Sequence, residues 1–167
     1  MPHDVYDCVR LRPETGSDED RAFMRRLFCT LDDVEFLSSY GPMADTLIDM
    51  QLQAREQQYR AQYPDGLFQL IVLENELIGR FATDRSADIW TAIDVALLPQ
   101  YRGQAIGRRL MGALLRDADA AGRSVRACVR SDNLRARKLW LRLGFESGEQ
   151  NLDHWSLLYV PADARRS

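Results

Sequence analysis

The sequence predicts a mixed α/β fold in one domain, and three observations carry that expectation. Short alternating or continuous apolar runs, bounded by proline, glycine and acidic turns, recur six times along the chain. Between them lie stretches in which apolar residues fall three and four apart, the period of a helix. The 167 residues, 46% of them apolar, suffice to bury roughly 70% of the unfolded surface in one core without a disulfide or structural metal.

In chain order, residues 5–12 alternate and stop at Pro13, which predicts a first strand. Ser17 with Asp20 three residues on reads as a capping box, and Phe23, Leu27 and Leu31 then share one helical face. Residues 32–42 read as loop. Residues 43–62 read as a second helix with Met43, Leu47, Met50 and Ala54 as its apolar side, ended by the turn Pro64-Asp65-Gly66. Residues 67–73 and 77–83 are β-prone and joined by Glu74-Asn75-Glu76, the pattern of a hairpin. A strand over 89–98 ends at Pro99. From about Ala105 the period turns helical, with Leu110, Met111, Leu114, Leu115 and Ala118 on one side and Gly122 as the stop. Residues 124–129 form a strand, Asn133 to Leu143 a short helix ended by Gly144, and 154–160 a last strand. The expected order is βααβββαβαβ, a single domain over 1–167 with its core at about 5–160 and a frayed tail at 161–167.

Composition excludes several classes of function. No apolar run approaches the roughly 18 residues of a membrane span, and Met1-Pro2-His3-Asp4 lacks the basic and apolar regions of an export signal. A cytoplasmic protein with no membrane partner is expected. Cys8, Cys29 and Cys128, an odd count without CxxC spacing, read as reduced and mostly buried thiols. With His3 and His154 as the two histidines, no metal site is expected. The net charge of −3 conceals an asymmetry: between Arg102 and Arg142 ten arginines and Lys138 face Asp117, Asp119 and Asp132, a local +8. A basic stretch on an acidic chain suits a compact polyanionic ligand. Nucleic acid is disfavoured as a partner, because the chain as a whole is acidic and no nucleic-acid motif is visible.

The informative segment runs from Asp94 to Leu110, a strand passing through a small-residue turn into a helix. The first amides of a helix have no internal partner and sit at its positive dipole end; Gly103 and Gly107 allow close approach of an anion, and Arg102, Arg108 and Arg109 add charge. A Walker loop is excluded because Lys138, the one lysine, lies elsewhere, and Gly103 to Gly107 does not supply G-x-G-x-x-G.

Arg102-Gly103-Gln104-Ala105-Ile106-Gly107 resembles the R/Q-x-x-G/A-x-G/A acyl-coenzyme A signature of the GNAT superfamily of N-acetyltransferases. Asn133-Leu-Arg-Ala136-Arg-Lys-Leu-Trp140-Leu-Arg-Leu-Gly144-Phe145 resembles that superfamily's N-x-x-A-x-x-L-Y-x-x-x-G-F segment, at the expected distance. The resemblance implies a GNAT-like mixed sheet whose central parallel strands splay apart, with acetyl-coenzyme A as co-substrate and no metal. It places the pantetheine arm along Val95, Ala96 and Leu97, the pyrophosphate on the amides from Arg102 or Gly103 through Arg108, and Asn133 on the other side of the arm. It makes the Leu97 N–H the oxyanion donor. The activity implied is direct transfer of an acetyl group to a primary amine, on a small-molecule or peptide acceptor, and the resemblance leaves room for a homodimer paired through sheet edges or C-terminal strands.

Two positions depart from the pattern. Ala105 stands where many members have glycine, which is harmless if its φ is negative. Trp140 stands where the family's tyrosine donates a proton to the departing thiolate, and an indole N–H has no comparable acidity. Trp140 also completes an apolar stripe with Ala136, Leu139 and Leu143, so packing is its expected role. Asp94 is a candidate general base or a structural hydrogen-bond partner; His154 is a second candidate base, and Cys128 reads as core. Acceptor choice is expected in residues 23–63, where Asp32, Asp33 and Glu35 beside Phe36 and Tyr40 form either a receptor for a cationic amine or a solvated acidic loop. Two functions follow: an acetyltransferase, or an acyl-coenzyme A sensor that has lost efficient turnover.

Overall fold

The structure, a computed structural model, describes residues 8–31, Val34 and residues 36–164. The part of the expected first strand before Cys8, the acidic residues Asp32, Asp33 and Glu35, and the tail beyond Ala164 lie outside the described residues. Seven strands occur among the described residues: β1 (Val9–Pro13), β2 (Leu67–Leu73), β3 (Glu76–Asp84), β4 (Ile89–Leu97), β5 (Ser124–Arg130), β6 (Glu146–Gln150) and β7 (His154–Tyr159). Four α-helices accompany them: α1 (Asp18–Phe28), α2 (Ala44–Gln62), α3 (Ile106–Ala121) and α4 (Leu134–Arg142). A 3₁₀ segment, Phe36–Met43, leads into α2 where a loop is expected from the sequence.

The strands form one mixed sheet in the order β1-β2-β3-β4-β5-β7-β6. All neighbours are antiparallel except β4 and β5, which the α3 crossover forces to run parallel. One face carries α1, whose Phe23 and Leu27 pack with Leu70 and Leu98. The other carries α3 and α4, where Met111, Leu114, Leu115, Ala118 and Trp140 meet Ile71, Phe81, Val125, Val129 and Leu157. Adjacent residues Leu70 and Ile71 thus serve opposite cores, as strand alternation requires. A third cluster, Phe28, Val34, Leu37 and Ile48, joins the end of α1 to the start of α2.

Four features differ from the sequence reading. Strand β6 is a seventh strand with every residue exposed; Glu-Ser-Gly-Glu-Gln has no apolar periodicity to betray it. The β2–β3 connection is the two residues Glu74 and Asn75, since Glu76 already pairs with Leu73 and Glu74 takes φ +57°. Met43, Met50 and Ala54 are exposed, while α2 turns Ile48, Leu52, Arg55, Glu56 and Tyr59 inward. Of the expected apolar stripe only Leu47 packs inward, against the Phe28–Ile48 cluster, because the inner side of α2 becomes polar halfway along. All three cysteines are exposed; Cys128 lies on the face of β5 opposite to Ala127 and Val129.

The expected capping box at α1 forms by half. Ser17 Oγ accepts from the Asp20 N–H, but the Asp20 carboxylate reaches past it to Thr15 N–H (2.7 Å), Thr15 Oγ1 (2.9 Å) and the Arg12 guanidinium (2.6 and 3.2 Å). The Arg12 hydrogen bonds outweigh the burial of Asp20 and hold its carboxyl well below the usual range. The native state therefore gains stability that is complete above the unfolded value of about 3.9 and is lost as pH falls further. Asp20→Asn is expected to lower stability at pH 7 by on the order of 2 kcal/mol; comparison of Tm against pH should show the gap to wild type closing below about pH 4. A gap independent of pH would refute this assignment.

Gly79 faces Leu97 across β3 and β4, and a Cβ on it would lie 2.4 Å from the Ala96 carbonyl oxygen and 2.8 Å from Leu97 Cδ2. The backbone of β4 cannot yield as a side-chain tip can. Gly79→Ala is expected to cost about 1–3 kcal/mol, read as a lower denaturant midpoint at unchanged m-value; an unchanged midpoint would show that β4 is free to shift.

Candidate functional site

The parallel ladder between β4 and β5 holds only from Ile89↔Ser124 to Ala92↔Ala127, and beyond that point the strands separate. The cause is legible in the β3–β4 register, where Ala82 opposes Asp94 but Thr83 opposes Ala92, so Ile93 is an extra residue that bends β4 away. The Leu98 N–H donates to the Ile78 carbonyl at 2.9 Å. Since antiparallel pairs alternate, Asp94 and Ala96 also turn their backbone groups to β3, and Val95 and Leu97 turn theirs toward the gap. The Leu97 carbonyl accepts from Arg102 Nε at 2.9 Å; strand alternation puts its N–H on the edge turned from β3, although Leu97 itself does not line the cavity.

A cavity of about 520 Å³ fills this gap and continues under α2. Asp94, Val95, Ala96, Asn133, Trp140, Cys128 and His154 all line it, together with Arg55 and Tyr59, which the sequence reading did not single out. Asn133 is the N-cap of α4, its Oδ1 accepting from Ala136 N–H at 3.0 Å, which leaves its amide hydrogens for the cleft. Trp140 is 7% exposed, packed against Phe145, and no acceptor among the described residues takes its indole N–H. Cys128 belongs to the cavity wall rather than the core, which corrects the expectation.

The turn from Arg102 to Arg108 stands beside the same gap; a Cβ on Gly107 would find Val95 Cγ1 as its nearest neighbour at 3.9 Å. Gly103 has φ +77° and Ala105 has φ +61°. The condition of negative φ at Ala105 is not met: this alanine is the N-cap of α3 and holds a left-handed conformation, at a cost of order 1 kcal/mol. Two left-handed residues in so short a stretch fold it into a nest of N–H groups. No acceptor among the described residues takes the amide hydrogens of Gly103 through Arg108. The Arg102 N–H is not part of this nest, because it donates to the Pro99 carbonyl. Its guanidinium is committed as well, to the Leu97 carbonyl and to Thr30 O and Oγ1, so Arg102 braces the end of β4 against the end of α1. Gln104 donates to the Gln100 carbonyl and Ile106 anchors α3 in the core, so these two offer their amides alone. Arg135, at the start of α4, supplies what Arg102 does not. Its Nη2 lies 2.9 Å from where a Cβ on Gly103 would stand, so a cation closes the cradle from the far side of the gap. Sequence distance hid this contact.

Asp94 projects to the α2 side, 3.0 Å from Arg55 Nη2 and 3.4 Å from Arg80 Nη1. Arg80 is completely buried; it donates to both carboxylate oxygens of Glu56 (2.6 and 2.7 Å) and to Glu14 (2.7 Å), which also pairs with Arg60. Burial pushes the Arg80 guanidinium down, but its hydrogen bonds to Glu56 and the charges of Asp94, Glu56 and Glu14 more than reverse this, so it stays a cation. Burial and the nearby Asp94 charge push the Tyr59 phenol up, leaving a neutral hydroxyl. The Asp94 carboxylate is thus engaged by two guanidiniums, whereas the His154 side chain is exposed at the cavity wall.

The gap, the nest and the cation opposite suit a long ligand with a phosphate at one end. The fold recurs in solved structures. The chain is similar to an acetyltransferase from Streptococcus agalactiae (TM-score 0.67, 16% identity, covering 92% of this chain and 98% of that one). It is similar also to the PaiA N-acetyltransferase from Thermoplasma acidophilum in complex with coenzyme A (TM-score 0.65, 15% identity, 91% and 98%). A third is the ribosomal-protein-S18-alanine N-acetyltransferase from Escherichia coli (TM-score 0.59, 16% identity, 91% and 93%). At such identities these likenesses speak for the fold. No curated protein matches the sequence. The sequence model described as the acetyltransferase (GNAT) family matches residues 34–145, which take in β4, the nest and α4. With two thirds of its length matched by that model and its strands splayed where the site requires it, the chain belongs to the GNAT acetyltransferase family.

Proposed function

We propose that this protein transfers an acetyl group from acetyl-coenzyme A to a primary amine by direct attack in a ternary complex. The observation that carries the reading is the junction of two sets of free backbone donors, the unpaired edge of β4 at Val95 and Leu97 and the amides of Gly103 to Arg108. The edge takes an amide-bearing arm as a strand takes a neighbour, with Asn133 facing it. The nest takes the pyrophosphate, helped by the α3 dipole and by Arg108 and Arg135. Acetyl-coenzyme A when bound supplies a thioester, whose C–S bond breaks as the acceptor nitrogen forms its bond to the acyl carbon. The Leu97 N–H, fixed by the ladder to β3, donates to the acyl oxygen as negative charge grows there.

The proton leaving the amine goes to His154, directly or through water, because Asp94 is held by Arg55 and Arg80. Trp140 packs and offers a hydrogen bond to the sulfur, while the proton that neutralises the thiolate comes from water. The family includes enzymes that act on spermidine or on a ribosomal protein, as the names of similar structures state, so the family alone leaves the acceptor open. Trp140 favours a second reading, a sensor that binds acyl-coenzyme A with little turnover.

Thermal unfolding with coenzyme A at about 100 times its Kd is expected to show roughly 2.7 kcal/mol of added stability, a shift of several degrees. No shift at saturation would end the acetyltransferase and sensor readings together. Thiol release on adding amines to the acetyl-coenzyme A complex is the expected second result; a shift without release from any amine would favour the sensor. Arg135→Ala is expected to weaken coenzyme A binding about tenfold at low ionic strength, with the deficit shrinking as salt is added. Equal affinity at all salt concentrations would remove Arg135 from the cradle.

A further inference from the structure

The cavity is longer than the gap between β4 and β5, and the part beneath α2 has a chemical character of its own. Its wall is apolar at Phe28, Leu31, Val34 and Leu37, which belong to the small cluster built around Ile48. Arg55 faces it. The Arg55 guanidinium stacks between the rings of Phe28 (5.8 Å) and Tyr59 (5.2 Å), donates through Nε to Tyr59 Oη at 3.3 Å, and sets Nη2 at 3.0 Å from Asp94. Nη1 has no partner among the described residues, although the side chain is 26% exposed and lines the cavity. Four contacts have already removed the conformational freedom that an arginine ordinarily loses on binding, so its remaining hydrogens are presented in a fixed direction.

Among the described residues Asp94 is the acid on this stretch of wall, and its charge is matched by Arg55 and by the buried Arg80. A polycationic acceptor entering here meets, among the described residues, a guanidinium, four apolar side chains and an acid already paired twice. An acceptor bearing a carboxylate on an apolar frame meets a donor for the one and a surface for the other. We infer that the acceptor is an amino acid or short peptide with an apolar side chain and a free carboxylate, which Arg55 anchors while the amine reaches toward Leu97. The inference rests on the acetyl-transfer reading, which makes this end of the cavity the acceptor's.

The test pairs ligands that differ in one feature, using the wild-type protein with coenzyme A bound. L-leucine, leucinamide, isoamylamine and spermidine are compared by calorimetric affinity and, with acetyl-coenzyme A, by kcat/KM from thiol release; leucyl-leucine and leucyl-leucinamide separate a free amino acid from a peptide as the source of the carboxylate. Leucine or leucyl-leucine is expected to exceed its carboxyl-amidated form at least tenfold, with spermidine weakest. Arg55→Lys and Arg55→Gln are expected to raise KM for the carboxylate ligand more than for the amide, so that the tenfold preference collapses. An amide or spermidine as good as the carboxylate, or no binding by either carboxylate ligand, would overturn the inference. The coenzyme A affinity measured on the same sample reports separately on the acetyl-transfer reading, which fails if that binding is absent.

Discussion

The guanidinium of Arg80 is fully buried, and segments far apart in sequence converge on it. Glu14 comes from the turn between β1 and α1, Glu56 from α2, and Asp94 from β4, while Arg80 itself stands in β3 opposite Ala96. A buried cation survives only when its hydrogens are taken and its charge matched, and here three carboxylates do both. Removing one of them would leave an uncompensated charge at a cost of about 3–5 kcal/mol. The cluster therefore ties α2 to the sheet and fixes the side of β4 on which Asp94 lies. The register of β4 against β3 decides which backbone groups look into the gap, so the position of the Leu97 N–H follows from an ion cluster on the other face of its own strand.

That arrangement divides the cavity into two chemistries. On the α3 side the donors are backbone amides, held by strand register and by two left-handed residues. On the α2 side they are side chains held by stacking and ion pairs. In the proposed function the first kind would meet features shared by every coenzyme A thioester, with the Arg135 side chain adding charge to the backbone donors. The second is open to variation in sequence, and the proposed function assigns acceptor preference to it. Asp94 sits at the boundary, and its pairing with Arg55 and Arg80 makes it part of the scaffold that presents Arg55.

How far this was legible in the sequence depended on the range of the interactions involved. Strand β4, the nest and α3 form one continuous stretch whose chemistry is local, and the Gly103 and Asn133 segments could be read directly. The α2 face could not. Met43, Leu47, Met50 and Ala54 have helical spacing, yet the helix turns the half-buried Arg55, Glu56 and Tyr59 inward because a buried arginine on β3 needs carboxylates, a demand invisible to apolar periodicity. Strand β6 escaped for a related reason, since an exposed edge strand pairing with β7 needs no apolar residue. Arg135 lies far from Gly103 in sequence, and its place at the nest appears only when α4 is folded back beside the turn. Ala105 shows the limit of a residue rule, because the turn imposes φ +61° on a residue with a Cβ.

The free backbone donors of β4 and the α3 turn can be observed one by one. Titration of ¹⁵N-labelled protein with coenzyme A, followed by amide chemical shifts, reports on each N–H separately. The expected result is that the largest shifts fall on Val95, Leu97 and Gly103 through Arg108, with the amide of Arg102, already bonded to Pro99, moving less. Saturable binding whose shifts lie elsewhere, with Leu97 and the nest unmoved, would contradict the account.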